Sequence, residues 1–161
     1  MSLTVLDKIK AYKLVEIEND KKVRSLLDIE SIAKSAPKVR SFSKALSNTK
    51  STLYSHIAEI KKASPSAGII SENFDPIKKA KEYEALGAAA LSILTEEDYF
   101  LGHNQYLKDV KAITKLPILR KDFMVDEYQL YEAKLIGADC ILFIASILSD
   151  EKMTNFVALA K

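Results

Sequence analysis

Apolar positions follow two different rhythms along the chain. Over residues 1–50 they recur at helical intervals, and no clear strand appears. Thr4 is placed to cap a helix in which Leu6, Ile9, Tyr12 and the aliphatic stem of Lys13 form one stripe. Ser25 or Asp28 starts a second helix containing Leu27, Ile29, Ile32 and Ala33, which ends before Pro37. A third, turn-rich segment lies around residues 42–46. From about residue 54 the pattern becomes cyclic. A strand-like run at 54–60 leads into the loop Ser64-Pro65-Ser66-Ala67-Gly68. A helix follows from Asp75-Pro76 through residue 86, with Pro76 suited to the first turn and Gly87 closing it. Apolar runs at 88–94, 117–123 and 140–144 read as further strands. Helices are expected near 105–114, near 127–136 and from about 150 to the chain end.

This order is β-α-β-α-β-α-β-α after a helical preface. Apolar strands alternating with helices predict an α/β fold with a parallel sheet and crossover helices. A repeat of roughly 25–30 residues per unit fits either a barrel or a doubly wound sheet, and four units alone do not separate the two. No Gly-x-Gly-x-x-Gly follows the first strand, which argues against dinucleotide binding. The expected division is a helical extension over residues 1–50 and βα repeats over 51–161.

Composition narrows the function classes. Apolar residues make up 48% of 161 residues and charged residues 29%, an ordinary globular balance. The 24 basic and 22 acidic residues leave a net charge of +2, too even for a nucleic-acid or membrane surface. The lysine pairs at 21–22, 61–62 and 78–79 read as solvated faces, with Lys61 the exception developed below. No apolar run reaches the roughly 18–20 residues of a membrane helix, and the start lacks a signal-peptide core. The single Cys140 has no partner for an internal disulfide and reads as a small buried side chain. His56 and His103 lack ligand spacing, so no metal site is expected. A cytoplasmic protein is the simplest expectation.

The candidate chemistry sits at strand ends. Side chains alternate across a strand, so Ile57, Glu59 and Lys61 share one side. Opposite charges there are costly unless they pair or serve a ligand. They could form a structural ion pair, or they could be catalytic groups at the C-terminal mouth of a barrel. In the third strand Leu119, Lys121 and Phe123 share one face, and Arg120 and Asp122 the other. Lys121 is therefore expected in the same mouth as Glu59 and Lys61, where a lysine beside a carboxylate suits general acid chemistry. Phe123 could stack on an aromatic ring or simply fill the core. Ser64 lies in a loop that could hold an anion but is also ordinary turn chemistry. Tyr99-Phe100 offers a second aromatic wall or a loop anchor.

Taken together, these segments resemble indole-3-glycerol phosphate synthase. The resemblance rests on Ala58-Glu59-Ile60-Lys61-Lys62-Ala63-Ser64-Pro65-Ser66, Leu91-Ser92-Ile93-Leu94-Thr95-Glu96, Tyr99-Phe100, Leu119-Arg120-Lys121-Asp122-Phe123, residues 126–133 and Gly137-Ala138-Asp139, in that order. It implies a TIM (βα)8-barrel family, represented here by an N-terminal helical extension and a (βα)4 half barrel. The implied reaction is ring closure and decarboxylation of 1-(2-carboxyphenylamino)-1-deoxyribulose 5-phosphate, without metal or organic cofactor. By the same resemblance Lys121 is the general acid, and Glu59 and Lys61 position substrate and support proton transfer. Ser64 contacts substrate, and Phe100 and Phe123 wall the anthranilate pocket. The related phosphoribosylanthranilate isomerase is the alternative barrel enzyme, disfavoured by Glu59-x-Lys61 with Lys121-x-Phe123. Ala67 stands where the family often has a basic residue.

A whole barrel of this kind has roughly 250 residues and eight units. The expectation is thus a fragment without the family's later carboxylate base or the phosphate site after strands seven and eight. An open half barrel exposes two sheet edges and an apolar face. Self-association, or pairing with a C-terminal half barrel, is expected to cover them. A catalytically idle scaffold is the non-enzyme alternative.

Overall fold

The computed structural model describes residues 4–47 and 54–161. In chain order the helices are α1 (Val5–Val23), α2 (Leu26–Lys34), α3 (Phe42–Ser47), α4 (Pro76–Ala85), α5 (Asn104–Ile113), α6 (Tyr128–Leu135) and α7 (Asp150–Leu159). The strands are β1 (Ile57–Ile60), β2 (Ala63–Ser64), β3 (Gly68–Ile69), β4 (Ala90–Leu94), β5 (Ile118–Lys121) and β6 (Cys140–Ile141). A short 3-10 turn spans Ala145–Ile147. The chain forms two compact units, residues 37–122 with 136–141 and residues 1–36 with 123–135 and 142–161. The boundary expected at residue 50 lies outside the described residues.

The first of these units contains the sheet. Its strand order is β1-β4-β5-β6, all parallel, so the C-terminal ends of these strands share one edge. Right-handed crossovers through a helix are the usual way to join such strands. β4 lies between two neighbours and is buried along its whole length, four of its five residues being apolar. Leu107 and Val110 of α5 and Ala80 of α4 add to this core. Asp75 caps α4 by accepting from the Lys78 amide, and Pro76 takes the first helical position. The other end closes in a Schellman pattern: Ala88 N–H donates to the Tyr83 carbonyl and Gly87 N–H to that of Glu84. Gly87 holds φ +82°, a value that a side chain would strain.

The second unit is helical. Thr4 caps α1 with a capping box, its hydroxyl accepting from Asp7 N–H while the Asp7 carboxylate accepts from Thr4 N–H. Ser25, not Asp28, caps α2. Within this unit α2 and α1 pack on α6. Ile29 and Ala33, one turn apart, are the buried face of α2, whereas Leu27 is 76% exposed and Ile32 also faces outward. On α1, Ile9 and Lys13 are buried while Leu6 and Tyr12 lie at the margin. Lys13 buries more than its stem. Its whole side chain is 2% exposed, and its ammonium is paired with Glu16 at 2.7 Å one turn on. Lys21 is likewise no solvated residue, since it reaches Asp126 at 3.1 Å.

All four strands of the sheet are shorter than expected: β4 covers only Ala90–Leu94 and β5 only Ile118–Lys121, so Phe123 falls past the strand whose alternation was to set it beside Lys121. The first strand covers only Ile57–Ile60, and Tyr54 is largely exposed. The run at 140–144 is strand only at Cys140–Ile141, followed by the 3-10 turn. Apolar alternation supplies propensity, but a strand exists only where a neighbour completes the ladder, and β6 has one on a single side. The unforeseen element is the antiparallel pair β2-β3, too short to leave a periodic trace. It is closed by the Lys62 carbonyl, which accepts from the Ile70 and Ser71 amides.

Candidate active site

Three charged side chains meet at the C-terminal edge of the parallel sheet. Glu59 is the third residue of β1, and Lys61 follows the strand's last residue. Lys61 Nζ lies 2.7 Å from Glu59 Oε1, and Lys121 Nζ donates to Glu59 Oε2 at 2.9 Å. One carboxylate thus bridges two ammonium groups, one on each oxygen. Burial raises the affinity of the Glu59 carboxyl for a proton. The hydrogen bonds from Lys61 and Lys121 outweigh it and hold the group below its ordinary value of 4.5. All three side chains are about one-third exposed. Ion pairs at that exposure are worth about 0–1 kcal/mol, so fold stability is a weak reason for gathering them. An ammonium fixed in direction at a strand end is a ready proton donor to anything that enters from solvent.

The strand end that carries Lys121 is anchored on the opposite face. Arg120 Nε donates to Thr95 Oγ1 at 3.0 Å, and that hydroxyl donates to Asp122 Oδ2 at 2.6 Å. Arg120 Nη2 also reaches Asp122 Oδ2 at 3.3 Å. All three residues are buried, so the charges compensate within a closed triangle. The Thr95 amide donates to the Lys121 carbonyl at 3.1 Å. The sequence placed Arg120 and Asp122 on the face away from Lys121, but gave them no role. The available signal was two opposite charges two residues apart on a strand, which rarely go inward unless paired.

The loop after β4 is rigid for identifiable reasons. Glu96 is fully buried, and its carboxylate accepts from the amides of Asp98 at 3.3 Å, Tyr99 at 2.8 Å and Phe100 at 3.0 Å. Leu101 takes the left-handed conformation, φ +50°, a strained choice for a branched residue. At Gly102 a Cβ would sit 2.5 Å from the Leu94 carbonyl oxygen and 2.8 Å from that of Glu96. Only glycine lets the loop press so closely on the strand end. Phe100, partly exposed, therefore stands on a loop fixed through its own amide, on the edge of the sheet that carries Glu59 and Lys121.

The remaining candidates make contacts of their own. Ser64 opens the β2-β3 pair, where its hydroxyl accepts from the Ala67 amide at 3.2 Å and lies 3.4 Å from that of Ser66. Its local contacts are those of a turn. Phe123 is buried and belongs to the helical unit, where its carbonyl accepts from the Gln129 side chain. His103 caps α5, accepting from the Gln105 amide, and lies 3.5 Å from Glu97.

A second polar cluster occupies the other end of the sheet. The Asp139 carboxylate, fully buried, accepts from the Arg40 amide at 2.6 Å, the Ile118 amide at 2.9 Å and the Lys111 ammonium. The Arg40 guanidinium donates to the Leu116 carbonyl at 2.8 Å. Burial is the main reason that Lys111 binds its proton less tightly than usual, with the neighbouring Arg40 charge adding to it against the pull of Asp139. Every oxygen of this cluster is used in tying α5, β5 and β6 together, so its work is structural.

Comparison with known proteins places the chain in a family. The family model for indole-3-glycerol phosphate synthase matches residues 6–161. The curated indole-3-glycerol phosphate synthase of Ruminiclostridium cellulolyticum is 48% identical over 158 residues, covering 97% of this chain and 60% of the relative. That of Clostridium acetobutylicum is 52% identical over 148 residues, covering 91% of this chain and 55% of the relative. The chain thus spans somewhat over half the length of these relatives. Its parallel α/β sheet is what a portion of this TIM-barrel family would contain. With nearly the whole chain matched to a single family model, it belongs to the indole-3-glycerol phosphate synthase family.

Proposed function

We propose that this chain carries the proton-donating part of an indole-3-glycerol phosphate synthase site, a carboxy-lyase of tryptophan biosynthesis. The substrate, 1-(2-carboxyphenylamino)-1-deoxyribulose 5-phosphate, would yield indole-3-glycerol phosphate, carbon dioxide and water. The observation that carries this reading is the Glu59 carboxylate held between Lys61 and Lys121 in a member of this family. As the ring carbon attacks the ribulose carbonyl, Lys121 gives its proton to the developing alkoxide. The ring carboxylate leaves as carbon dioxide, and the new hydroxyl, protonated in turn, leaves as water while the adjacent C1′ carbon gives up a proton to a base that the proposed partner half would supply. Glu59 aims the Lys121 ammonium, and Lys61 faces the substrate's anionic groups. Phe100 and Phe123 would wall the anthranilate ring, favouring loss of the carboxylate by keeping it from water. Ser64 would contact the substrate from its turn.

The assay is indole-3-glycerol phosphate formation by the purified chain. Turnover that Lys121→Ala abolishes is the expected result. Absence of turnover in a folded sample would withdraw catalysis by this chain.

The proposed partner is a half barrel, either a second copy or one like the remaining part of the relatives. β1 and β6 are the outer strands of the four-stranded sheet, and Ile57 on β1 is 44% exposed. A concentration-independent monomer in sedimentation equilibrium would argue for a self-sufficient chain instead. The proposed setting is the cytoplasm. No helix among the described residues is long and apolar enough to cross a membrane.

A further inference from the structure

We propose that Thr95, with Arg120 and Asp122, is a positioning device for the Lys121 ammonium, acting from the face of the sheet opposite to Glu59. The argument begins with where β5 ends. Lys121 is its last strand residue, so beyond it the ladder no longer holds the backbone. A four-carbon side chain on a fraying strand end would sample many directions. Here one residue on the neighbouring strand's end binds three successive residues. The Thr95 amide takes the Lys121 carbonyl, and its hydroxyl takes both Arg120 Nε and Asp122 Oδ2. Because side chains alternate, anchoring 120 and 122 on one face turns 121 to the other. With the backbone pinned on both sides, the Lys121 amine reaches Glu59 Oε2 at 2.9 Å, across the intervening β4.

The chemistry of the triangle fits anchoring rather than catalysis. Thr95, Arg120 and Asp122 are 2–3% exposed, out of reach of a substrate entering from solvent. Their charges cancel locally, so they constrain geometry without adding a field to the mouth. A hydroxyl suits the centre of such a triangle because it accepts from one partner while donating to the other. Valine has the same shape and does neither.

The decisive readout is the titration of Glu59, followed by carbon-13 NMR of the carboxyl in the purified chain. The position of Lys121 helps to hold this carboxyl low, whatever the chain's activity. Lys121→Met sets the scale for losing that contact altogether. In Thr95→Val the Glu59 midpoint is expected to rise by at least about 0.3 unit, and Thr95→Ser is expected to restore it. Should Thr95→Val fail to fold, Asp122→Asn is read in the same way. Removing the Asp122 charge through space would lower the midpoint, so a rise there reports displacement of Lys121. An unchanged midpoint in the folded variant overturns the positioning role.

A second arm rests on the proposed function. Where the parent turns over, Thr95→Val should lower kcat about tenfold or more with KM within about threefold, because misaiming a proton donor affects chemistry more than binding. A parent that does not turn over counts against that function alone and leaves the titration to decide the positioning role.

Discussion

Lys121 on β5 and Glu59 on β1 are hydrogen-bonded at 2.9 Å although β4 separates their strands. The contact spans two inter-strand steps and is made at the strand ends, where long side chains can lean over a neighbour. The residue that β4 places opposite Glu59 is the small Ser92. This relationship joins residues 62 positions apart and gathers separate charges into one cluster.

Replacing Lys121 should separate activity from stability. Where the chain turns over as proposed, Lys121→Ala is expected to lower kcat by about 100-fold or more, the usual contribution of the general acid that the proposal makes it. Its effect on the unfolding midpoint in urea should be within about 0.5 kcal/mol, because its ion pair is part-exposed. A large loss of stability with turnover retained would return the residue to a structural role.

Acid stability should report the carboxyl between the lysines. The folded Glu59 carboxyl titrates below 4.5, so between the two values the unfolded chain binds more protons than the native one. The stability contributed by Glu59 is therefore complete above pH 4.5 and is lost as pH falls through the folded value. In urea titrations the difference between the parent and Glu59→Gln should narrow below that pH. A difference that stays constant down to about pH 3 would show that the carboxyl has no such linkage.

The cluster at the opposite end of the sheet should govern folding rather than chemistry. Asp139→Ala leaves the Lys111 ammonium, the Arg40 amide and the Ile118 amide without their shared acceptor. A cost of about 3–5 kcal/mol is expected, as for other buried pairs broken on one side. Chemical denaturation followed by far-ultraviolet circular dichroism measures it. A loss under about 1 kcal/mol would mean that water replaces the carboxylate.

Gly102→Ala tests the loop beside the site. The added Cβ meets the backbone oxygens of Leu94 and Glu96, which cannot swing aside as a side-chain tip would. Destabilisation of about 1–3 kcal/mol is expected, with faster amide exchange at Tyr99 and Phe100 as the loop lifts from the strand. Unchanged exchange at those amides would show that the Glu96 carboxylate alone holds the loop.

Much of this protein is readable from order and spacing, because the signals concerned are local. Thr4, Ser25, Asp75 and Gly87 mark helix ends through bonds made within a turn. The alternation of apolar strands with helices carries the α/β class, and Glu59, Lys61 and Lys121 stand out as charges in strand patterns. Partners drawn from distant segments left no such trace. Whether Lys13 buried only its stem or its charge as well depended on packing, as did the choice of Ile29 and Ala33 over Leu27 for the core. Strand lengths at 54–60 and 140–144 were cut by where a ladder neighbour stood. Thr95, Arg120 and Asp122 became a triangle only through the parallel register that sets Leu94 beside Lys121. A sequence states which groups can donate, accept or bury. The sheet register decides which of them meet, because pairing energy depends on angstroms that residue spacing alone does not encode.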